Sequence, residues 1–228
     1  MHSRSADPRV VRAEDLESLF DLPVVAHRFA GTATPGDVHP EEAALVASAV
    51  AKRQHEFAAG RLCAHASLAC LGVTSAPILR AGSAPIWPAG SLGSISHTQG
   101  EIAAVACRSS LVRGLGIDIE WTDRVHQKLE RQICVEREVA WLDARGSEER
   151  SRYAALIFSA KEAFYKCQYS VTEGWLGFRD AWVEIGEGTF TIRLTDPESA
   201  LPGELHELSG AYRFDEPYVY TAIALACP

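Results

Sequence analysis

The 228-residue sequence has no CxxC pair and no cysteine–histidine spacing that would hold zinc, although it contains six cysteines. Cys63, Cys70, Cys107, Cys134, Cys167 and Cys227 stand apart from one another. Scattered single thiols point to a reducing compartment rather than to a disulfide framework. No run approaches the ~18 apolar residues needed to span a bilayer, and the opening "MHSRSADPRV" has no apolar signal-peptide core. A cytoplasmic protein with no membrane contact is the expectation. Basic charge is also short: 22 Lys and Arg face 30 Asp and Glu, a net charge of −8. That excludes the broadly basic surface of a nucleic-acid binder, though not a local basic patch. There is no H-E-x-x-H motif, no short repeat and no low-complexity segment.

What is present is a globular composition, 47% hydrophobic and 23% charged. The length suits one large domain or two small intimate ones. Residues 1–12 are polar and expected to fray. Residues 41–72 are rich in helix formers, with acids at the start and Gly72 at the end. Gly60 inside this stretch leaves open one bent helix or two. Residues 83–94, "SAPIWPAGSLGS", are punctuated by Gly and Pro and predict a loop. "EIAAVACR" and "LGIDIE" predict two strands with "SSLVRG" as a spacer, and residues 126–168 are helical in tone. "FRDAWVEI", "TFTIRLTD", "SGAYRF" and "YVYTAIALA" predict four more strands, with "GEG" at 186–188 as a turn. Helices and antiparallel-looking strands in both halves indicate an α+β fold.

Two stretches carry chemistry. In "GIDIE", strand alternation puts Leu115, Ile117 and Ile119 on the core face and Asp118 and Glu120 on the other. Acids at i and i+2 are ~6.5–7 Å apart at Cα and can converge on one hard cation such as Mg²⁺. A half-exposed strand with a polar outer face fits D-x-E equally well. In "FSAKEAFYK", Tyr153, Ile157, Ala160 and Phe164 form one apolar stripe at 100° per residue. Glu162 and Lys166 are i, i+4 neighbours on the far side, and Lys161 lies near the stripe's edge, its stem packed and its ammonium reaching out. Alone, this pattern also fits a plain surface helix with one ion pair. His97 follows a glycine-rich loop, flanked by Ser96 and Thr98, and suits either a phosphate oxygen or a structural hydrogen bond.

The order "GSISHT", "GLGIDIE", "FSAKEAFYKC", "WLGF" resembles the 4′-phosphopantetheinyl transferases. It is similar above all to the larger, monomeric kind that serve siderophore, peptide and polyketide synthases, particularly actinobacterial members. "AKRQHEFAAGR" and "APIL…PIWP" upstream share the likeness, which spans about residues 45–180. The resemblance implies two pseudo-twofold-related α/β halves in one chain, residues 1–110 and 111–228, with the active site in the cleft between them. It implies transfer of phosphopantetheine from coenzyme A to a serine of an apo acyl or peptidyl carrier protein, releasing 3′,5′-ADP. Asp118, Glu120 and Glu162 match the family's carboxylates for Mg²⁺, with Mn²⁺ as an alternative ion. Glu162 also matches the proposed general base. Lys166 would hold phosphate, and Lys161 the pyrophosphate region or a metal-bound water. Arg53 and Arg61, ~80° apart round a helix, match positions for the 3′-phosphate and its neighbours, Arg80 a basic position near the adenine, and Ser96 and His97 a phosphate-contacting pair. Trp175 lines the pantetheine arm or sits in the core. Phe158 stands where relatives often carry Trp, and Ile119 where some place a polar or acidic residue. A Mg²⁺-dependent phosphohydrolase and a non-catalytic coenzyme A-binding module are the rival readings.

The segment 126–142, "HQKLERQICVEREVAWL", mixes Lys128, Arg131 and Arg137 with Leu129, Ile133 and Val135. It suits a carrier-docking surface with apolar anchors and a basic rim, and equally an amphipathic helix packed on its own core.

Overall fold

The computed structural model describes residues 7–82 and 84–228. It divides into two compact units, one ending at Val112 and the other running Arg113–Pro228. In chain order the first unit contains β1 (Val10–Arg12), α1 (Glu14–Glu17), β2 (Val25–Phe29), α2 (Pro40–Ala44), α3 (Ala51–Cys70), β3 (Arg80–Ala81), β4 (Ala84–Pro85), β5 (Ser91–Thr98) and β6 (Glu101–Arg108). The second contains β7 (Val112–Trp121), which starts at the boundary, α4 (Gln127–Ile133), α5 (Glu136–Asp143), α6 (Ser147–Thr172), β8 (Ala181–Ile185), β9 (Thr189–Leu194), β10 (Glu207–Asp215) and β11 (Tyr218–Ala226). This is an α+β architecture.

In the first unit the sheet order is β1-β2-β6-β5, all antiparallel. The long helix α3 lies across β2, β5 and β6. Its inward residues Ala58, Ala59, Cys63, Ala64 and Leu68 meet Phe29, Ile102, Ala104 and Ala106 in one core. Small side chains let helix and sheet approach closely. Gly60 does not break α3, as its helix propensity had allowed: a Cβ there would lie 2.8 Å from Ile95 Cγ2. The ~1 kcal/mol propensity cost of a mid-helix glycine is offset by that packing. The interruption falls instead over residues 45–50, between α2 and α3.

Two other expectations for this half are corrected. Val10–Arg12 is a paired edge strand rather than a frayed tail, anchored by Arg9, whose guanidinium binds Asp7 and Asp37; residues 1–6 of that predicted tail lie outside the described residues. The predicted loop at 83–94 contains β4 and the first half of β5; its Ser83 is likewise outside the described residues. Gly93 suits a strand because a Cβ there would meet Trp87 and the Val105 carbonyl at 2.5 and 2.6 Å, a close approach that punctuation by glycine conceals.

The second unit repeats the plan with different parts. Its sheet order is β7-β11-β10-β9-β8, and the 26-residue helix α6 packs on β11, β8, β9 and β10 and against α5. Ala154, Ala155, Leu156, Ile157, Ala160, Ala163 and Phe164 of α6 are all at most 1% exposed. So many buried positions surround the axis that the plain surface helix is excluded.

Candidate active site

In the first unit, α3 presents Arg53 and Arg61, and β3 presents Arg80. Arg61 is 3% exposed, its guanidinium over the Phe57 ring at 4.6 Å. Its Nε makes no hydrogen bond, and the nearest acid atom is Glu42 Oε1 at 3.7 Å. Burial, aided by the charges of Arg80 and Arg53 and opposed by Glu42, pulls the Arg61 pKa down to about 10. Arg53 and Arg80 are therefore each close enough to Arg61 for their charges to act on it. Arg53 donates a 2.6 Å hydrogen bond to His97 Nε2; Glu56 lies 3.7 Å from Arg53 and 3.8 Å from His97 Nδ1. An acceptor Nε2 leaves the proton of neutral His97 on Nδ1, toward Glu56. Ser96, one residue earlier on β5, is buried.

The second unit builds the opposite charge. The face of β7 that carries Gly114, Gly116, Asp118 and Glu120 is turned to α6. A Cβ at Gly116 would be 1.9 Å from the Ala163 carbonyl oxygen, and one at Gly114 2.5 Å from that of Cys167. Only glycine permits this contact. It brings Lys166 of α6 onto the strand, where its ammonium donates to the Ile117 carbonyl at 2.9 Å and to Asp118 Oδ1 at 2.7 Å. The acid face is thus no half-exposed outer surface: Asp118 is 5% exposed, although Leu115, Ile117 and Ile119 are also buried as expected.

Glu120 and Glu162 complete the cluster. Burial, then the charge of Asp118 and more weakly that of Glu162, pushes Glu120 up to about 7, against the pull of Arg124 and Lys166. Its Oε2 is buried without a hydrogen bond, with Arg124 at 3.8 Å. Burial and Asp118 likewise raise Glu162, against Lys166. Two carboxylates whose proton affinity is raised by burial and by the neighbouring Asp118, one of them carrying an orphaned buried oxygen, together with Asp118 fit a hard divalent cation. They are not tightly drawn together: the set of three ligand atoms that all lie within 4.8 Å of one another, among the described residues, is His39, Glu42 and His65.

Lys161 is a correction. Its side chain is wholly buried, and its ammonium spends all three donors on the Ile133 carbonyl at 2.9 Å, Glu138 Oε2 at 2.8 Å and the Phe178 carbonyl at 2.8 Å. It cannot reach out to a pyrophosphate or a metal-bound water; it ties α6 to α5 and to the chain before β8. Glu138 was missed because it is 23 residues away, beyond any helical spacing; its Oε1 also accepts from the Val183 amide. The docking surface at 126–142 is altered too. Ile133 is fully buried and Leu129 packs on the core, so neither is an external anchor. Arg137 stacks on Trp182 at 3.6 Å, while Arg131 lines an open 380 Å³ depression with Val139, Ala140 and Arg179. Trp175 is 88% exposed and not a core residue.

Comparison with known proteins places this arrangement in a class. The 4′-phosphopantetheinyl transferase N-terminal domain matches residues 41–107, and the 4′-phosphopantetheinyl transferase superfamily matches residues 114–223. The chain belongs to the 4′-phosphopantetheinyl transferase superfamily. It is 38% identical over 215 residues to the 4′-phosphopantetheinyl transferase Svp of Streptomyces mobaraensis, covering 90% of this chain and 86% of that protein. Against PptT of Mycobacterium tuberculosis it is 38% identical over 194 residues, covering 82% and 85%. Against Npt of Nocardia iowensis it is 33% identical over 200 residues, covering 82% and 89%.

Proposed function

We propose that this chain transfers 4′-phosphopantetheine from coenzyme A to a serine hydroxyl of an apo acyl or peptidyl carrier protein, releasing 3′,5′-ADP, with Mg²⁺ or Mn²⁺ held by Asp118, Glu120 and Glu162. The observation that supports it most is the acid cluster of β7 and α6, three carboxylates beside one ammonium. A bound divalent ion supplies charge neutralisation at the pyrophosphate, where the bond to phosphorus breaks. The protein's own task is to position and to move one proton. Glu162 has no hydrogen bond or ion pair among the described residues, so its carboxylate is available to take the serine proton, directly or through water. Lys166, anchored by the Ile117 carbonyl and paired with Asp118, would place its positive charge beside a phosphoryl oxygen. Arg61, which feels the charges of both Arg53 and Arg80, gains with them from a polyanion such as the 3′-phosphate end of coenzyme A. Ser96 and His97 add neutral hydrogen-bonding groups beside Arg53.

Intact-mass measurement of apo carriers incubated with the protein, coenzyme A and Mg²⁺ tests this. A carrier heavier by one phosphopantetheine is the expected product. Free phosphopantetheine with unmodified carrier would instead establish a phosphohydrolase. Coenzyme A binding without turnover, across a panel of carriers, would leave a binding module.

A further inference from the structure

His39, Glu42 and His65 lie in the first unit, and no step of the proposed reaction uses them. We propose that they form a second metal site, selective for borderline first-row ions such as Zn²⁺ and built from the start of α2 and the middle of α3. One ligand atom from each residue lies within 4.8 Å of the others. Glu42 is fully buried and its carboxylate is fixed in place. Oε1 accepts from the Ile78 amide at 2.8 Å, and Oε2 from the His39 amide at 3.1 Å. His65 Nε2 donates to the same two oxygens at 2.9 and 3.0 Å. Arg61 Nε, 3.7 Å from Oε1, is the competing cation.

Two ligand atoms each about 2.0 Å from a tetrahedral ion are about 3.3 Å apart. The His65–Glu42 separation is therefore already close to that of a coordinated pair. The imidazole of His39 completes the set: its ring is 5.1 Å from that of His65, edge to face. Ser75 Oγ lies 3.1 Å from His39 Nε2 and so can orient that ring, a common outer partner of a ligating histidine. Both histidines are partly exposed, which gives an ion access and leaves the fourth position to water. Two imidazoles and one carboxylate favour Zn²⁺, Co²⁺, Ni²⁺ or Cu²⁺ over Mg²⁺. This donor set is chemically distinct from the all-oxygen cluster of β7 and α6, so the two sites should separate by ion. An ion here would join α2, α3 and the segment carrying Ser75 and Ile78, and would stabilise the folded chain by mass action.

The test uses the full chain with Cys70→Ser and Cys227→Ser, so that accessible thiols do not bind, and a large excess of Mg²⁺ to satisfy the oxygen cluster. Titrated Co²⁺ should bind once per chain with the visible absorption of a four-coordinate ion, be displaced by one equivalent of Zn²⁺, and raise the melting temperature. His39→Ala and His65→Gln should each weaken Co²⁺ binding at least about tenfold, the lower bound for loss of a supporting group; Gln at 65 keeps an N–H for Glu42, which protects the fold. An intact Co²⁺ spectrum in His65→Gln would place the ion elsewhere and overturn the site. Failure of the parent chain to bind Co²⁺ would reduce the trio to a His–Glu ion pair.

Discussion

The two units solve the same folding problem and then depart in electrostatics. Each lays one long helix on an antiparallel sheet, and each uses glycine to bring them together, Gly60 in the first and Gly114 with Gly116 in the second. The first unit gathers cations on α3 and β3, and the second gathers anions on β7 and α6. Burial first, then its arginine neighbours, makes Arg61 more acidic, whereas burial first, then the charge of Asp118, makes Glu120 and Glu162 less acidic. Like charges held together oppose folding, so each cluster is a place where stability is lower than the packing would allow. Such sites are candidates for ligands of opposite charge. The cation cluster calls for phosphate and the acid cluster for a metal.

The largest effect should come from breaking the acid cluster. Asp118→Ala and Glu162→Ala should each lower transfer at least about a thousandfold, since a metal at the reacting phosphate supplies several kcal/mol. In metal-free buffer, Glu162→Gln should raise the melting temperature, because it removes one of the mutually repelling charges. The pH dependence has the same origin. Glu120 is raised to about 7, so the native state holds a proton that the unfolded chain has lost. Its contribution to metal-free stability is present at low pH and is lost as pH rises from the ordinary carboxylate range through about 7. Saturating Mg²⁺ should flatten that slope. Full transfer by chelator-treated protein, or a Glu162→Gln variant that melts lower in metal-free buffer, would contradict the cluster.

Two lysines five residues apart on α6 sharpen the contrast between charge used for folding and charge used for chemistry. Lys161→Ala leaves Glu138 buried and unpaired, which costs about 3–5 kcal/mol. Denaturant titration should show that loss, and the variant should be poorly folded at physiological temperature. Lys166→Ala removes a side chain that is 29% exposed, where that of Lys161 is wholly buried; it also takes the ammonium from Asp118, so it should cost some stability, but less than Lys161→Ala, while slowing transfer strongly. Equal stability losses in the two variants would show that both lysines serve folding alike.

Those lysines also mark what sequence could reveal. The period of 3.6 in "YAALIFSAKEAF" located the helix and its apolar stripe, and the period of 2 in "LGIDIE" located the strand. That Asp118, Glu120, Glu162 and Lys166 would lie near one another was legible from the motif spacing, and the structure brings them together. The inward turn of Lys161 was not legible, because it depends on Glu138 and on carbonyls at 133 and 178, all set by tertiary packing. The burial of the acid face was half legible: glycines two residues apart before Asp118 mark a close approach, but not by which element. Edge strand β1 and the β3–β4 pair escaped because segments of two or three residues carry no usable period. In Glu42 and His65, neighbours only across two helices, no local pattern exists to find.

A smaller effect tests the cation cluster. Arg53→Ala should weaken coenzyme A binding by ~1.5–3 kcal/mol, the range of one charge-assisted hydrogen bond. It should also narrow the gap between coenzyme A and its dephospho form. Calorimetry with both ligands measures the gap, and an unchanged gap would remove Arg53 from the 3′-phosphate site.

The smallest effect is kinetic and distinguishes the units directly. Burial pushes Cys63 in the first unit, and Cys134 and Cys167 in the second, up to about 12. A thiol that is both buried and protonated at pH 8 reacts only when its surroundings open. Cys70 is exposed and should be modified first by a maleimide. Of the four buried thiols, which include Cys107, Cys63 reports local opening in the first core and Cys134 and Cys167 in the second. Saturating Mg²⁺ relieves repulsion only in the acid cluster, so it should slow labelling of Cys167, whose backbone lies against Gly114, and leave Cys63 unchanged. Zn²⁺ at His39, Glu42 and His65 should do the reverse, since Cys63 shares α3 with His65. Peptide mapping by mass spectrometry resolves the three rates. Equal slowing of Cys63 and Cys167 by either ion alone would show that the two units open as one, and the two clusters would then be parts of a single cooperative structure.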